Sequence, residues 1–321
     1  MAGALSRSRF HTLCLATLIC LYAGSAAALD KIRIGLPVPN YTPYSVVKLA
    51  QDLGLYKKNG VEVEITAYRG GSTAQEALIQ GSADIIVHFP ASVALAVKKG
   101  VKERIIGVGE TKPTGWHLMV ANDSPIKTIK DLDGKTIGVS ATGGATASYS
   151  LWIAREAGIR IRLIPVGSTG LIPSLKTGKV DATLLHAGLA LPMLAHGGAR
   201  SIFDLGTMEP TVPDVWVAPQ QLIDSNPKAI AATLRSIYQA TDHMQKHRTF
   251  SIDYLKKYTG DSDEKLMNLE YDVLIKAMPT SGKIERKWLE FSLLLGRPAD
   301  AIDLPSVDEI YTDKFADVSA N

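Results

Sequence analysis

The chain has 321 residues, 46% of them hydrophobic and 21% charged, with 35 basic and 32 acidic side chains. That length suits about two domains, and the high apolar and moderate charged content excludes a disordered chain. A net charge of +3 with no basic run argues against nucleic acid as a partner.

Residues 1–28 read as an export signal. Arg7 and Arg9 form its basic end, Leu13 to Tyr22 its apolar stretch, and Ala26-Ala27-Ala28 the small-residue pattern that puts cleavage near Ala28. The apolar stretch is shorter than the roughly 20 residues of a membrane span. Both cysteines, Cys14 and Cys20, lie in this leader, and Ile19 is bulkier than the residue a lipid-anchor signal places before its cysteine. The remainder therefore holds no disulfide, thiolate metal site or cysteine nucleophile. It counts 33 basic against 32 acidic residues. An exported, soluble protein of the bacterial periplasm is expected.

From residue 29 onward the same order of elements occurs twice. The first copy runs Ile32-Arg33-Ile34-Gly35-Leu36, a helix from Tyr44-Ser45 to Gly54, and the strand Val61-Glu62-Val63-Glu64-Ile65. Then come Gly71-Ser72-Thr73 and Leu78 to Asp84. The second runs Lys135 to Val139, Tyr149-Ser150 to Gly158, and Ile159 to Leu163. It closes with Gly167-Ser168-Thr169 and Leu175 to Asp181. Alternation of Val61, Val63 and Ile65 with glutamates is the period of a half-buried strand. Glycines 54, 81, 158 and 178 suit left-handed helix ends, and the hydroxyls after Gly71 and Gly167 suit N-caps. Two such copies predict two similar α/β lobes with a cleft between them.

Between the copies, Ile105–Val108 and His117–Val120 flank Thr111-Lys112-Pro113-Thr114-Gly115 and carry the chain across. Val215-Trp216-Val217-Ala218 reads as a returning strand. The expected division is 29–115 for lobe 1, 116–214 for lobe 2, and 215–321 for the return to lobe 1 with its C-terminal helices. Asn226-Pro227 opens a helix, and shorter helices follow around 250–258, 262–278 and 286–295. This tail is expected to pack on the first lobe.

Residues 50–63 (A-Q-D-L-G-L-Y-K-K-N-G-V-E-V), 76–84 (E-A-L-I-Q-G-S-A-D), 130–139 (K-D-L-D-G-K-T-I-G-V) and 178–182 (G-K-V-D-A) carry a resemblance. They resemble the periplasmic substrate-binding proteins of ABC importers in the NMT1/THI5-like family, which includes sulfonate, taurine, nitrate and thiamine-precursor binders. The resemblance covers nearly all of the chain after the leader. It implies an α/β, two-lobed type II periplasmic binding fold, each lobe a mixed, mostly parallel sheet flanked by helices. It also implies a small-molecule ligand delivered to an ABC permease and its ATPase, with membrane contact only through the permease, by a monomer.

Ligands of open α/β sheets sit beyond the carboxyl ends of the strands, where helix starts offer free N–H groups to an anion. The strongest candidate is the loop Ser140-Ala141-Thr142-Gly143-Gly144-Ala145-Thr146: hydroxyls at Ser140, Thr142 and Thr146, close backbone approach at Gly143 and Gly144. Its counterpart, residues 37–44, looks like a wall, with Tyr41 and Tyr44 facing the cleft. Gly70-Gly71-Ser72-Thr73 forms a second donor cluster, with Arg69 before it read mainly as a surface or paired arginine. His88-Phe89 and His186 follow matched strands and are candidate contacts, as is Trp116 in the crossing segment. Asp84 and Asp181 are read as holding backbone turns.

No metal site, cofactor site or paired-carboxylate site is apparent, nor a Ser–His–Asp order, P-loop or H-E-x-x-H. The expected function is reception of a small organic anion, a sulfonate or carboxylate. Binding of a thiamine-type pyrimidine is the alternative. A pyrimidine-synthesising enzyme of the THI5 kind is disfavoured by the missing cysteines, and a role as partner of a sensor is a further class.

Overall fold

The computed structural model describes residues 29–208, 211–295 and 304–321, so the export signal read from residues 1–28 lies outside the described residues. In chain order the strands are β1 (Asp30–Leu36), β2 (Val61–Ala67), β3 (Ile85–His88), β4 (Glu103–Glu110), β5 (His117–Val120), β6 (Thr136–Val139), β7 (Arg162–Pro165), β8 (Ala182–Leu185), β9 (Arg200–Asp204) and β10 (Asp214–Pro219). They form two five-stranded sheets of one design, β2-β1-β3-β10-β4 and β7-β6-β8-β5-β9. Each sheet contains one strand contributed across the molecule. β10 runs antiparallel to β3 and β4, and β5 to β8 and β9, while β1, β2 and β3, like β6, β7 and β8, are parallel. The chain therefore crosses between the sheets at 111–116 and again between β9 and β10.

The helices are α1 (Ser45–Asp52), α2 (Leu55–Lys58), α3 (Gly71–Ile79), α4 (Pro90–Lys98), α5 (Ala145–Ala157), α6 (Leu171–Lys176), α7 (Ala187–Ala195), α8 (Gln220–Ser225), α9 (Pro227–Lys246), α10 (Arg248–Thr259), α11 (Glu264–Val273), α12 (Arg286–Leu295) and α13 (Val307–Ile310). Helices cover both faces of a parallel sheet, so its central strands lose the polar alternation. Every residue of β3 and of β8 is buried. The edge strand β2 keeps the alternation, with Val61 and Val63 buried and Glu62 and Glu64 exposed.

The two copies share their local chemistry. Asp84 accepts the Arg33 backbone N–H at 2.8 Å and grips its guanidinium at 2.7 and 2.8 Å. Asp181 accepts the Thr136 backbone N–H at 2.8 Å and its hydroxyl at 2.6 Å. Each aspartate thus ties the strand that follows it to the first strand of its copy, the backbone role expected of both. Gly81 and Gly178 leave matched helices at φ 70° and 68°, a region where a Cβ is strained.

Two expectations are corrected. The hydroxyls after Gly71 and Gly167 do not cap: Gly70 and Gly167 themselves stand at the N-cap positions without a side-chain bond. Thr73 instead donates to the Gly70 carbonyl at 2.8 Å. The tail does not pack on the first sheet's lobe alone. α9 lies on α1 and β2, but α11 meets α7 and α12 meets α5, both from the second sheet. Phe291 packs edge-on to Trp152 at 6.2 Å, and Ser292 accepts the Val212 N–H at 2.9 Å, holding the second crossing segment. The apolar faces of these helices are buried across the junction because both lobes offer them surface.

Candidate functional site

The carboxyl ends of β1, β3, β6 and β8 converge on one cavity between the sheets, enclosing about 520 Å³ of space outside atoms, its open mouth included. The loop after β1 supplies Pro37, Val38, Tyr41 and Tyr44. β3 ends in His88 and Phe89, the start of α5 brings Ser140, Gly144, Ala145 and Thr146, and Gly70 and Gly71 open α3. Trp116, Ser168, His186 and Asp214 complete the lining. A second chamber of about 760 Å³ shares Val38, Ser168 and His186 as a common wall and reaches α10 and α11 at Thr259 and Met267.

Of the residues singled out from sequence, Tyr41, Tyr44, Gly71, His88, Phe89, Trp116, Ser140, Gly144, Thr146 and His186 line the inner cavity. Ser72, Thr73, Thr142 and Gly143 do not. Thr73 and Thr142 are exposed. Ser72 and Gly143 face each other across the rim, where a Cβ on Gly143 would sit 3.8 Å from the Ser72 hydroxyl. Nearby, Ser92 of α4 donates to the Gly143 carbonyl and joins the two lobes at their lips. Arg69 is exposed and outside the lining.

One end of the cavity is aromatic and firmly held. Trp116 Nε1–H donates to the Tyr41 hydroxyl at 3.0 Å, and that hydroxyl donates to Glu110 at 2.7 Å. The Tyr41 ring lies 4.9 Å from Tyr44 and 4.8 Å from His186, both edge-on, within the range of favourable ring pairs. Tyr44 donates to Asp214 at 2.6 Å. Burial, helped by the adjacent carboxyls, pushes both phenols well above their ordinary value, so they stay protonated donors.

Glu110 and Asp214 were missed, because 104 residues separate them. Antiparallel pairing of β4 with β10 makes them direct cross-strand partners. Of these paired carboxyls, not apparent from sequence, Asp214 lines the cavity, while Glu110 stands outside the lining, held by the Tyr41 hydroxyl. Burial pushes Asp214 up to about 7, and burial together with Asp214's charge holds Glu110 well above the carboxylate range. Two carboxyls side by side out of water do not both ionise readily. Pro37, Val38, Gly70, Ala145 and Ser168 also line the cavity, and all lie in loops already marked as strand ends.

The opposite walls are built of helix starts. α3, α4, α5 and α7 begin at Gly70, Phe89, Gly144 and His186, and none of these caps its helix with a side chain. By contrast, Asn226 and Asp263 cap the more distant helices α9 and α11. The first-turn N–H groups of α3 and α5 are thus left for a guest; at α4, Pro90 has no N–H and Ser92 N–H donates to the Phe89 carbonyl, and at α7, Leu189 N–H donates to the His186 carbonyl. Burial lowers His88 and His186 to about 4, so both imidazoles are neutral. The Ser168 hydroxyl and His186 Nδ1 are buried without a partner. No lysine or arginine lines the cavity, and no cluster of metal ligands occurs among the described residues.

His88 lies close over Gly71: a Cβ there would meet the ring at 2.8 and 2.9 Å. Gly71→Ala is expected to cost about 1–3 kcal/mol by forcing the imidazole aside. Urea unfolding of the two proteins measures it, and an unchanged midpoint would show that His88 moves freely.

A family model described as NMT1/THI5 like matches residues 39–249. A relative from Escherichia coli (strain K12), provisionally named an aliphatic sulfonates-binding protein, is 27% identical over 268 residues, covering 81% of this chain and 78% of the relative. One from Haemophilus influenzae, provisionally named a thiamine biosynthesis protein, is 25% identical over 231 residues, covering 68% and 71%. The solved alkanesulfonate-binding protein SsuA from Xanthomonas axonopodis pv. citri, bound to MOPS, matches with a TM-score of 0.72 at 17% identity, over 83% of this chain and 91% of that one. At such identity the likeness concerns the fold, which is that of the periplasmic binding proteins.

Proposed function

The chain belongs to the NMT1/THI5-like family, and from that premise we propose that it is a periplasmic receptor of an ABC importer. It binds a small organic anion, of sulfonate or carboxylate type, between its lobes and hands it unaltered to a permease and its ATPase. The observation that carries this reading is the set of helix starts without side-chain caps around one cavity. The N–H groups of α3 and α5, with the partial positive charge at all four starts, suit an anion in a site that has no basic side chain. Ser168 and His186 add polar atoms that await a partner. The sulfonate-binding names of relatives agree with it.

The moving parts in this reading are 29–115 with 215–321 and, against them, 116–214. They hinge at the two crossing segments, and the ligand favours closure by binding the closed form more tightly. Among the described residues no helix is long and apolar enough to cross a membrane. Thermal unfolding against sulfonates, short carboxylates and nitrate tests the proposal. A ligand at 100 times its Kd stabilises by about 2.7 kcal/mol, a rise of roughly 5 °C or more for a protein of this size. A melting curve unmoved by the whole panel overturns it.

A second reading, a thiamine-type pyrimidine, is favoured by the aromatic wall of Tyr41, Tyr44, Phe89 and Trp116 and by the Haemophilus relative's name. The same assay with an aminopyrimidine separates the two.

A further inference from the structure

We propose that Asp214 serves the bound anion as a neutral acid: its carboxyl donates a proton to an oxygen of the guest, so that binding takes up a proton from solution. The inference rests on the small-anion reading above and adds to it a specificity-determining residue and a coupled proton.

Asp214 is the carboxyl that lines the cavity, 5% exposed at the start of β10. Tyr44 donates to its Oδ2 at 2.6 Å, and among the described residues no donor reaches Oδ1. No lysine or arginine lines the cavity, so no cation there offsets a carboxylate. An anion held by the starts of α3 and α5 would meet a second negative charge out of water, which is costly. A proton on Oδ1 replaces that repulsion with a charge-assisted hydrogen bond to the guest. Oδ2 stays bonded to Tyr44, so the phenol holds the carboxyl in place whether or not it carries the proton.

The groups packed around Asp214 leave the carboxyls as the ones that respond near neutrality. Tyr41 and Tyr44 from the loop after β1, and Tyr149 of α5, are kept protonated by burial. His88 ends β3, where it pairs with Val215 of β10. Burial lowers it, and His186 in the same lining, to about 4, so both stay neutral. Glu110 of β4 is the cross-strand neighbour, held well above the carboxylate range by burial and by the charge on Asp214. Asp214 is pushed up to about 7, and the two carboxyls titrate as a pair. An anion that binds only the acid form of Asp214 is held most tightly below about 7 and is lost as the pH rises through that value.

Probes whose own charge does not change with pH test this: ethanesulfonate, butanesulfonate and nitrate, titrated calorimetrically into the wild-type protein between pH 5.5 and 8.5. Affinity is expected to hold at the acid end and then to fall by up to about tenfold per pH unit. At pH 8, buffers of different ionisation enthalpy should report uptake approaching one proton per anion. Asp214→Asn keeps a donor and carries no charge, so it should bind equally at pH 6 and pH 8 without proton uptake. Tyr44→Phe removes the bond that favours the ionised carboxyl, so it should move the fall in affinity to higher pH. That second variant keeps the assignment testable even where Asp214→Asn folds poorly. A wild-type affinity flat across the range, or a fall that neither variant alters, overturns the inference and leaves the anion receptor intact. Failure of every probe to bind overturns both.

Discussion

Replacing Trp116 with alanine is expected to destabilise the fold by about 3–5 kcal/mol and to weaken ligand binding more than any other single change in the cleft. Trp116 is buried where the first crossing segment enters β5. Its ring lies 5.8 Å from Tyr149 and 6.1 Å from His186, and its N–H orients Tyr41. Alanine removes the packing, leaves a cavity at the junction of the lobes and frees the Tyr41 hydroxyl at once. For a protein of this size the melting temperature should fall by roughly 5–8 °C. Trp116→Phe separates the contributions. It keeps most of the buried ring and loses only the hydrogen bond to Tyr41, so about 1 kcal/mol should go. A Trp116→Ala protein that melts within a degree or two of wild type would mean that the crossing segment repacks freely, and the rigid aromatic wall would have to be abandoned.

The repeated order of elements was readable because each copy uses the same local devices. Asp84 and Asp181 tie matched strands, and Gly81 and Gly178 end matched helices. Alternation marked β2 because that strand is an edge with one wet face. The cavity's loop residues were legible for a related reason: ligand sites of such sheets lie at strand ends, and strand ends can be read locally. Thr73 and Thr142 stand outside the lining because side-chain direction within a turn depends on dihedrals that residue type does not settle. Glu110 and Asp214 were invisible for a deeper reason. Their proximity depends on β10 leaving one lobe's stretch of sequence to enter the other's sheet, and on its register against β4. Neither is a local property. The tail's span across both lobes is of the same kind, since an apolar helix face such as that of Phe291 and Leu295 states that it is buried but not against what.

Glu103→Gln is expected to stabilise the protein at neutral pH by about 3 kcal/mol and to leave it unchanged near pH 4. Glu103 opens β4 and is 3% exposed. Gln75 of α3 donates its amide to Glu103 Oε2 at 2.5 Å, while Gln75 Oε1 and Glu103 Oε1 are both buried without a partner. Two unmatched acceptors side by side are costly. A proton on Glu103 Oε1 resolves this, because the acid then donates to Gln75 Oε1 and the two side chains close a ring of two hydrogen bonds. Burial raises Glu103 from 4.5 to about 7, in the same direction. The sign follows from linkage. Below 4.5 the group is protonated in both folded and unfolded chains, and its contribution is fully present. Between 4.5 and 7 the unfolded chain releases the proton first, so stability falls by about 1.4 kcal/mol per pH unit and levels off above 7, a total of about 3 kcal/mol. A glutamine at 103 supplies the same donor and acceptor without a charge. Unfolding free energies of both proteins should therefore diverge from pH 4.5 to pH 7.5, and taking their difference cancels the titration of Glu110, Asp214 and Glu270. Parallel profiles across that window would show that an ionised Glu103 is tolerated beside Gln75, and the hydrogen-bonded acid would have to be withdrawn.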